Sequence, residues 1–177
     1  DEAKANDVIA IAGDLSEAVR LFKEKYKALP GDAPNADELI VGVLPAGNGD
    51  GRGTIHTTEE SNNATDHLFR AGLVRRAPPT ADRPAGQIVS RYGDVWIMAT
   101  TLATDATSPC GTAVSNANPE QMIARNMIVF NRLTAEAARE VDTKLDDGVW
   151  DTGTIRASET YDGPDPRRII LCFAMPL

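Results

Sequence analysis

Seven apolar residues near the start of the chain, Val8, Ala12, Leu15, Val19, Phe22, Tyr26 and Leu29, recur at spacings of 4-3-4-3-4-3. That spacing predicts one long helix with a continuous apolar stripe. Lys4, Glu17, Lys23, Glu24 and Lys27 fall mostly on the other faces. The helix is expected to stop near Leu29, because Pro30 pushes its predecessor out of the α region and Gly31-Asp32 supplies a turn. Three heptads ending in a proline turn are short for a coiled coil. The stripe is therefore expected to lie on a sheet built by the rest of the chain.

Residues 31–56 are rich in Gly, Pro, Asn and Asp and predict an irregular, ordered loop. Thr57 and Glu60 have the spacing of a capping box, so a second helix is expected from Thr57, with Ala64, Leu68 and Ala71 inward and Gly72 at its C-terminal cap. The runs 87–92 and 95–102 flank Gly93-Asp94 and predict a hairpin. Asn118-Pro119 has the form of a helix start. Ile128-Val129-Phe130 fits a strand or a helix equally. Thr134 is a candidate N-cap for a helix over 135–145, with Ala138, Val141 and Leu145 on one face, ended by Asp146-Asp147-Gly148. Strands are expected at 154–158 and 168–175, the latter the most hydrophobic stretch and so a core strand. The fold class that follows is α+β: a long N-terminal amphipathic helix packed on an antiparallel β-sheet, with short helices and loops, in one domain over 1–177.

Composition narrows the function classes. Hydrophobic residues make up 42% and charged residues 25%, as in ordinary globular proteins and unlike disordered chains. A net charge of −8, with basic residues clustered only as the pairs Arg75-Arg76 and Arg167-Arg168, weighs against binding a polyanion such as nucleic acid. No run reaches the roughly 20 apolar residues of a membrane-spanning helix.

The candidate chemistry is sparse. His56 and His67 are the only histidines, and no Gly-x-Ser-x-Gly, His-x-x-x-His or Cys-x-x-Cys pattern occurs. No glycine-rich turn links a strand to a helix as a phosphate loop would. An enzyme and a bound cofactor are accordingly not expected. Asn48-Gly49-Asp50-Gly51 invites a calcium reading, but an EF-hand register aligned on Gly51 would put Ala46 and Thr57 where carboxylates are needed. Asp50, together with the second acidic group Asp146, Asp147 and Asp151, remains the set of candidate calcium ligands. The simpler reading of the second group is a helix end and turn, with Asp142 and Lys144 forming a polar tie. Trp96, Trp150 and Tyr161 could form a sugar-binding aromatic set; Trp96 is expected in the core, and Trp150 is the better candidate for an exposed contact. Cys110 and Cys172 are either unrelated buried thiols, as in a cytosolic protein, or one bridge, as in an exported one.

Four stretches in chain order resemble the type IV pilin and type II secretion pseudopilin superfamily. Phe22-Lys23-Glu24-Lys25-Tyr26-Lys27-Ala28-Leu29-Pro30-Gly31-Asp32 resembles the family's helix end, an aromatic pair before a Leu-Pro-Gly-Asp turn. Gly47-Asn48-Gly49-Asp50-Gly51 resembles the glycine-rich loop that follows. His67-Leu68-Phe69-Arg70-Ala71-Gly72-Leu73-Val74 is similar to a recurring helix terminus, and Val141-Asp142-Thr143-Lys144-Leu145-Asp146-Asp147-Gly148 with Thr152-Gly153 to a turn of one pilin-like branch. The likeness is piecemeal and spans residues 8–153.

The resemblance implies a structural subunit, major or minor, of a type IV pilus or type II secretion pseudopilus. Residues 1–29 would be the amphipathic half of a longer helix and 30–177 the loop-rich head. The apolar half and its processing site would precede the present start. Partners would be other pilin subunits and an inner-membrane assembly machinery, with the membrane reached only through that preceding segment. The setting would be an extracellular filament or a periplasmic pseudopilus, anchored in the inner membrane before assembly. The alternative is a minor tip pilin or adhesin whose loops bind a surface ligand or calcium; some pseudopilins bind calcium elsewhere in the fold. The resemblance also implies an oxidising compartment and hence a Cys110–Cys172 bridge, tying the 103–118 loop to the last strand. Closing a loop of that length would contribute about 4 kcal/mol.

Overall fold

The computed structural model of the protein describes residues 2–74, 88–89, 94–100, 110, 125–163 and 169–174. Helix α1 (Glu2–Tyr26) is followed by the short α2 (Ala36–Leu39), a 3-10 turn (Pro45–Gly47) and α3 (Thr58–Arg70). Strands β1 (Ile88–Val89), β2 (Asp94–Thr100) and β3 (Arg125–Leu133) precede α4 (Ala135–Leu145), and β4 (Ile155–Ala157) and β5 (Ile169–Ala174) complete the chain. The strands form one antiparallel sheet in the order β1-β2-β3-β5-β4. The α+β class and the helix-on-sheet layout expected from the sequence are observed.

The stripe of α1 is wider than the seven-residue pattern: Ala5, Ile11 and Ala18 are buried beside Val8, Ala12, Leu15, Val19 and Phe22. These side chains join Val95, Ile97, Ile128, Phe130, Leu171 and Phe173 from one face of the sheet in a single core. The opposite face carries a smaller cluster of Cys110, Met127, Val129 and Cys172, with Trp96, Met98 and Ile170 against it. Alternation along β2, β3 and β5 sorts the side chains onto the two faces.

The helix stops three residues before the expected Leu29. Lys27 takes a left-handed backbone, φ +58°, and its N–H donates to the Lys23 carbonyl at 2.9 Å, which closes the helix before the proline can act. Leu29 is nevertheless buried, packed by the turn rather than by helical phase.

Both predicted N-caps form. The Thr57 hydroxyl accepts from the Glu60 N–H at 3.1 Å while Glu60 reaches back to the Thr57 N–H, the reciprocal pair of a capping box. Thr134 accepts from the Ala137 N–H at 3.2 Å. Gly72 sits just past α3 with φ +74°. On α4, Ala138 and Val141 are buried, but Leu145 is 49% exposed because the core ends before the helix does.

The ambiguous Ile128-Val129-Phe130 is strand, in the middle of the sheet. Beyond it β3 carries a bulge: Phe130 faces Leu171 and Leu133 faces Ile169, so β3 spends one extra residue, with Arg132 at φ +60°. In the predicted hairpin, Val89 pairs with Asp94. Asp94 therefore belongs to the strand, which begins one residue before the expected Val95. Gly93, the 75–86 connection, the Asn118-Pro119 helix start and both arginine pairs lie outside the described residues. Among the described residues, no helix is long and apolar enough to cross a membrane.

Candidate functional site

Two hydrogen-bonded knots hold most of the residues singled out in the sequence. The first closes the C-terminal end of α1. Its base is the turn after Leu29, where Ala33 and Asp32 donate their N–H groups back to the Leu29 carbonyl. The Asp32 carboxylate, 2% exposed, accepts from the N–H groups of Arg52 (3.1 Å) and Gly53 (2.8 Å). Main-chain bonds Gly51 N–H to Asp32 O and Gly49 N–H to Ala33 O lay the glycine-rich loop beside the turn. Gly49 has to be glycine, since a Cβ there would run into the Asp32 backbone.

His67 joins the third stretch to these two. Fully buried on α3, it accepts the Gly31 N–H at Nδ1 (2.8 Å) and lies 2.9 Å from the Gly47 carbonyl at Nε2. Because Nδ1 is an acceptor, the ring is neutral and Nε2–H is the donor to Gly47. Its ring also stacks on Phe22 of α1, centroids 6.2 Å apart. Burial pulls the imidazole below the ordinary histidine value, against the opposing pull of the Gly47 carbonyl.

Glu60 is the second buried carboxylate of this knot. It accepts from the N–H groups of Asp50 (3.1 Å) and His56 (2.9 Å) besides that of Thr57. Burial raises the Asp32 carboxyl above the usual carboxylate value, the Gly53 N–H opposes that, and the Glu60 charge adds to it. Asn126 ties the loop to the sheet: it accepts from Ile55 N–H (2.9 Å) and donates to the Gly53 carbonyl (3.2 Å).

The second knot follows α4. Asp142, with no exposed surface, accepts from the Tyr161 hydroxyl (2.8 Å) and the Gly148 N–H (3.2 Å). Burial lifts its carboxyl to about 6, opposed by those two donors and helped by the charges of Asp147 and Asp146. Asp146 accepts from the N–H groups of Thr154 (2.6 Å) and Ile155 (2.9 Å), and Asp147 from Val149 N–H and the Thr152 hydroxyl. Arg156 donates to the carbonyls of Gly153 and Asp151. Lys144 does not join the tie with Asp142; it reaches out to Asn6, Glu2 and Glu140, anchoring α4 to the start of α1.

The four candidate calcium ligands are divided by this arrangement. Asp50 groups with His56 and Glu60, and Asp146 and Asp147 group with Asp142; in each set the ligand atoms lie within 4.8 Å of one another. Asp151 belongs to neither set. Every carboxylate in the two sets already accepts hydrogen bonds from the turn it closes, as a structural role requires. His56 lies 3.3 Å from Asp50 and 3.2 Å from Glu60, with its own loop carbonyl, Thr54 O, at 3.1 Å.

Cys110 and Cys172 form a disulfide, buried on the outer face of β5. The aromatic set does not assemble. Tyr161 is buried against Asp142, and Trp150 is half-buried on the main core rather than exposed. Trp96, expected in the core, is half-buried on the other face of the sheet and lines an open cleft of about 340 Å³. His67 lies in a stretch whose pattern was legible, but its partners 36 and 20 residues away were not. Asn126 carried no signal at all, since its bonds span 71 and 73 residues. No family model, curated protein or solved structure matches this chain.

Proposed function

We propose that the chain is the head of a type IV pilin or type II secretion pseudopilin, a structural subunit that assembles with like subunits into a filament. One observation carries the reading. Three of the four stretches that resemble the superfamily, separated in sequence, meet in one knot: His67 of the helix terminus binds Gly31 of the Leu-Pro-Gly-Asp turn and Gly47 of the glycine-rich loop. Unrelated chance matches have no reason to converge on one side chain.

The Cys110–Cys172 disulfide supports maturation outside the reducing cytoplasm. The burial of the α1 stripe by the chain's own sheet supports a helix that serves as the spine of a head, not as a coiled-coil seam. On this reading α1 continues upstream into the apolar segment that anchors and then bundles the subunits, and the head performs no chemistry of its own.

The test is microscopy of the full gene product, expressed with its own assembly genes and carrying a tag at the exposed turn around Val41. Thin filaments decorated by antibody to the tag are expected in the sheared surface or periplasmic fraction. A product that matures as a dispersed monomer, with no filament under overexpression, overturns the reading.

A further inference from the structure

The cleft lined by Trp96 opens between the first turns of α3 and the outer face of β2. Its floor is Ile55, fully buried. One wall is Trp96 and Met98, two residues apart on β2 and so on one face; the Trp96 Nε1–H donates to the Met98 sulfur at 3.0 Å, which holds both side chains in place. The other wall is α3, fastened to β2 by the Ser61 hydroxyl donating to the Ile97 carbonyl at 2.7 Å. Thr58 and Asn62 stand one turn apart on α3 and share a face at the rim. Among the described residues, neither the Thr58 hydroxyl nor the Asn62 amide has a hydrogen-bond partner.

We propose that this cleft binds an uncharged sugar ring. A pyranose presents an apolar C–H face and a rim of hydroxyls that each donate and accept. Indole and thioether surface suits the first. A free hydroxyl beside a free amide, both able to donate and accept, suits the second. The volume lies at the lower end of the roughly 300–1,000 Å³ of small-ligand sites, enough for one or two rings. Among the described residues the lining holds no lysine or arginine, and its one histidine, His56, is drawn to the Asp50 and Glu60 carboxylates; with a chain charge of −8 this disfavours an acidic sugar or a phosphate. The inference does not rest on filament assembly, because it concerns the isolated head.

The experiment is saturation-transfer NMR on the purified chain with uncharged hexoses and N-acetylhexosamines at millimolar concentration, and with a hexuronic acid and free indole as controls. Transfer to the ring protons of at least one sugar, with a shift of the Trp96 indole N–H resonance, is expected. Asn62→Ala and Thr58→Ala should each weaken that binding about three- to tenfold, the loss of one hydrogen bond, with unchanged melting temperatures. These two positions are chosen because Trp96 also packs on the second cluster, where truncation would disturb folding. The proposal is overturned by absence of transfer across the panel, by transfer that neither variant weakens, or by binding confined to acidic sugars or free aromatic compounds. Each of those outcomes leaves the filament reading standing.

Discussion

The main-chain N–H of Gly31 points at Nδ1 of the buried His67 ring, 2.8 Å away. The turn that follows the first helix is thereby held by a side chain of the third, and the opposite nitrogen of the same ring holds the glycine-rich loop. Only the neutral ring can do both, since imidazolium has no acceptor.

Acid is therefore expected to loosen this knot. Burial holds His67 below its unfolded value, so the unfolded chain takes up the proton first as pH falls. The His67 contribution is full above the unfolded pKa of about 6.5 and is lost as pH falls from there through the lower folded value. His67→Gln should cost about 2 kcal/mol or more at neutral pH by removing the Gly31 acceptor in a buried site. Urea melts of both proteins from pH 7.5 downwards check this: the gap between them should narrow in acid, and a constant gap would contradict the assignment.

Gly31 and Gly53 offer a paired test of backbone against space. Both have left-handed φ, +82° and +85°. A Cβ at Gly31 would strike the Glu60 carbonyl, whereas one at Gly53 meets nothing within 4 Å. Gly53→Ala should cost about 1–2 kcal/mol, the conformational strain alone. For Gly31→Ala about 3 kcal/mol or more is expected, because strain and a backbone clash add. Equal losses in thermal unfolding would remove the clash as the cause.

Asp142 should act in the opposite sense to His67. Its carboxyl is raised to about 6, with burial the main cause. Its stabilising contribution is thus fully present below the unfolded value of about 3.9 and is lost as pH rises through about 6. Asp142→Asn keeps an acceptor for the Tyr161 hydroxyl or the Gly148 N–H and removes the buried charge. Relative to the parent, the variant should gain about 1 kcal/mol or more in stability between pH 4 and pH 7. Denaturant midpoints at the two pH values measure it, and parallel pH profiles for the two proteins would refute it.

The disulfide closes a span of 62 residues, for which chain entropy predicts a contribution of about 4 kcal/mol. Reduction should lower the urea midpoint accordingly. Both sulfurs are buried, so alkylation under native conditions should add nothing, and two alkyl groups should appear by intact mass only after reduction in denaturant. Two groups added without a reductant would show free thiols and remove the support for maturation outside the cytoplasm.

Features that depend on near neighbours were legible along the chain. The 4-3 spacing of apolar residues set α1 and its buried face. The Thr57–Glu60 pair and Thr134 set the starts of α3 and α4. Each of these signals acts within one or two helical turns, so it survives without knowing the fold. Long-range pairing made Ile128-Val129-Phe130 the central strand, because a short apolar run is stable either way until β2 and β5 pair with it. Packing also decided that Leu145 stays half exposed and that Trp96 lines a cleft while Trp150 is drawn onto the core. The histidine in a legible helix end became the bolt of a knot for the same reason: its partners lie 20 and 36 residues away, and no local pattern records which distant carbonyl or N–H the folded chain will bring to a buried ring.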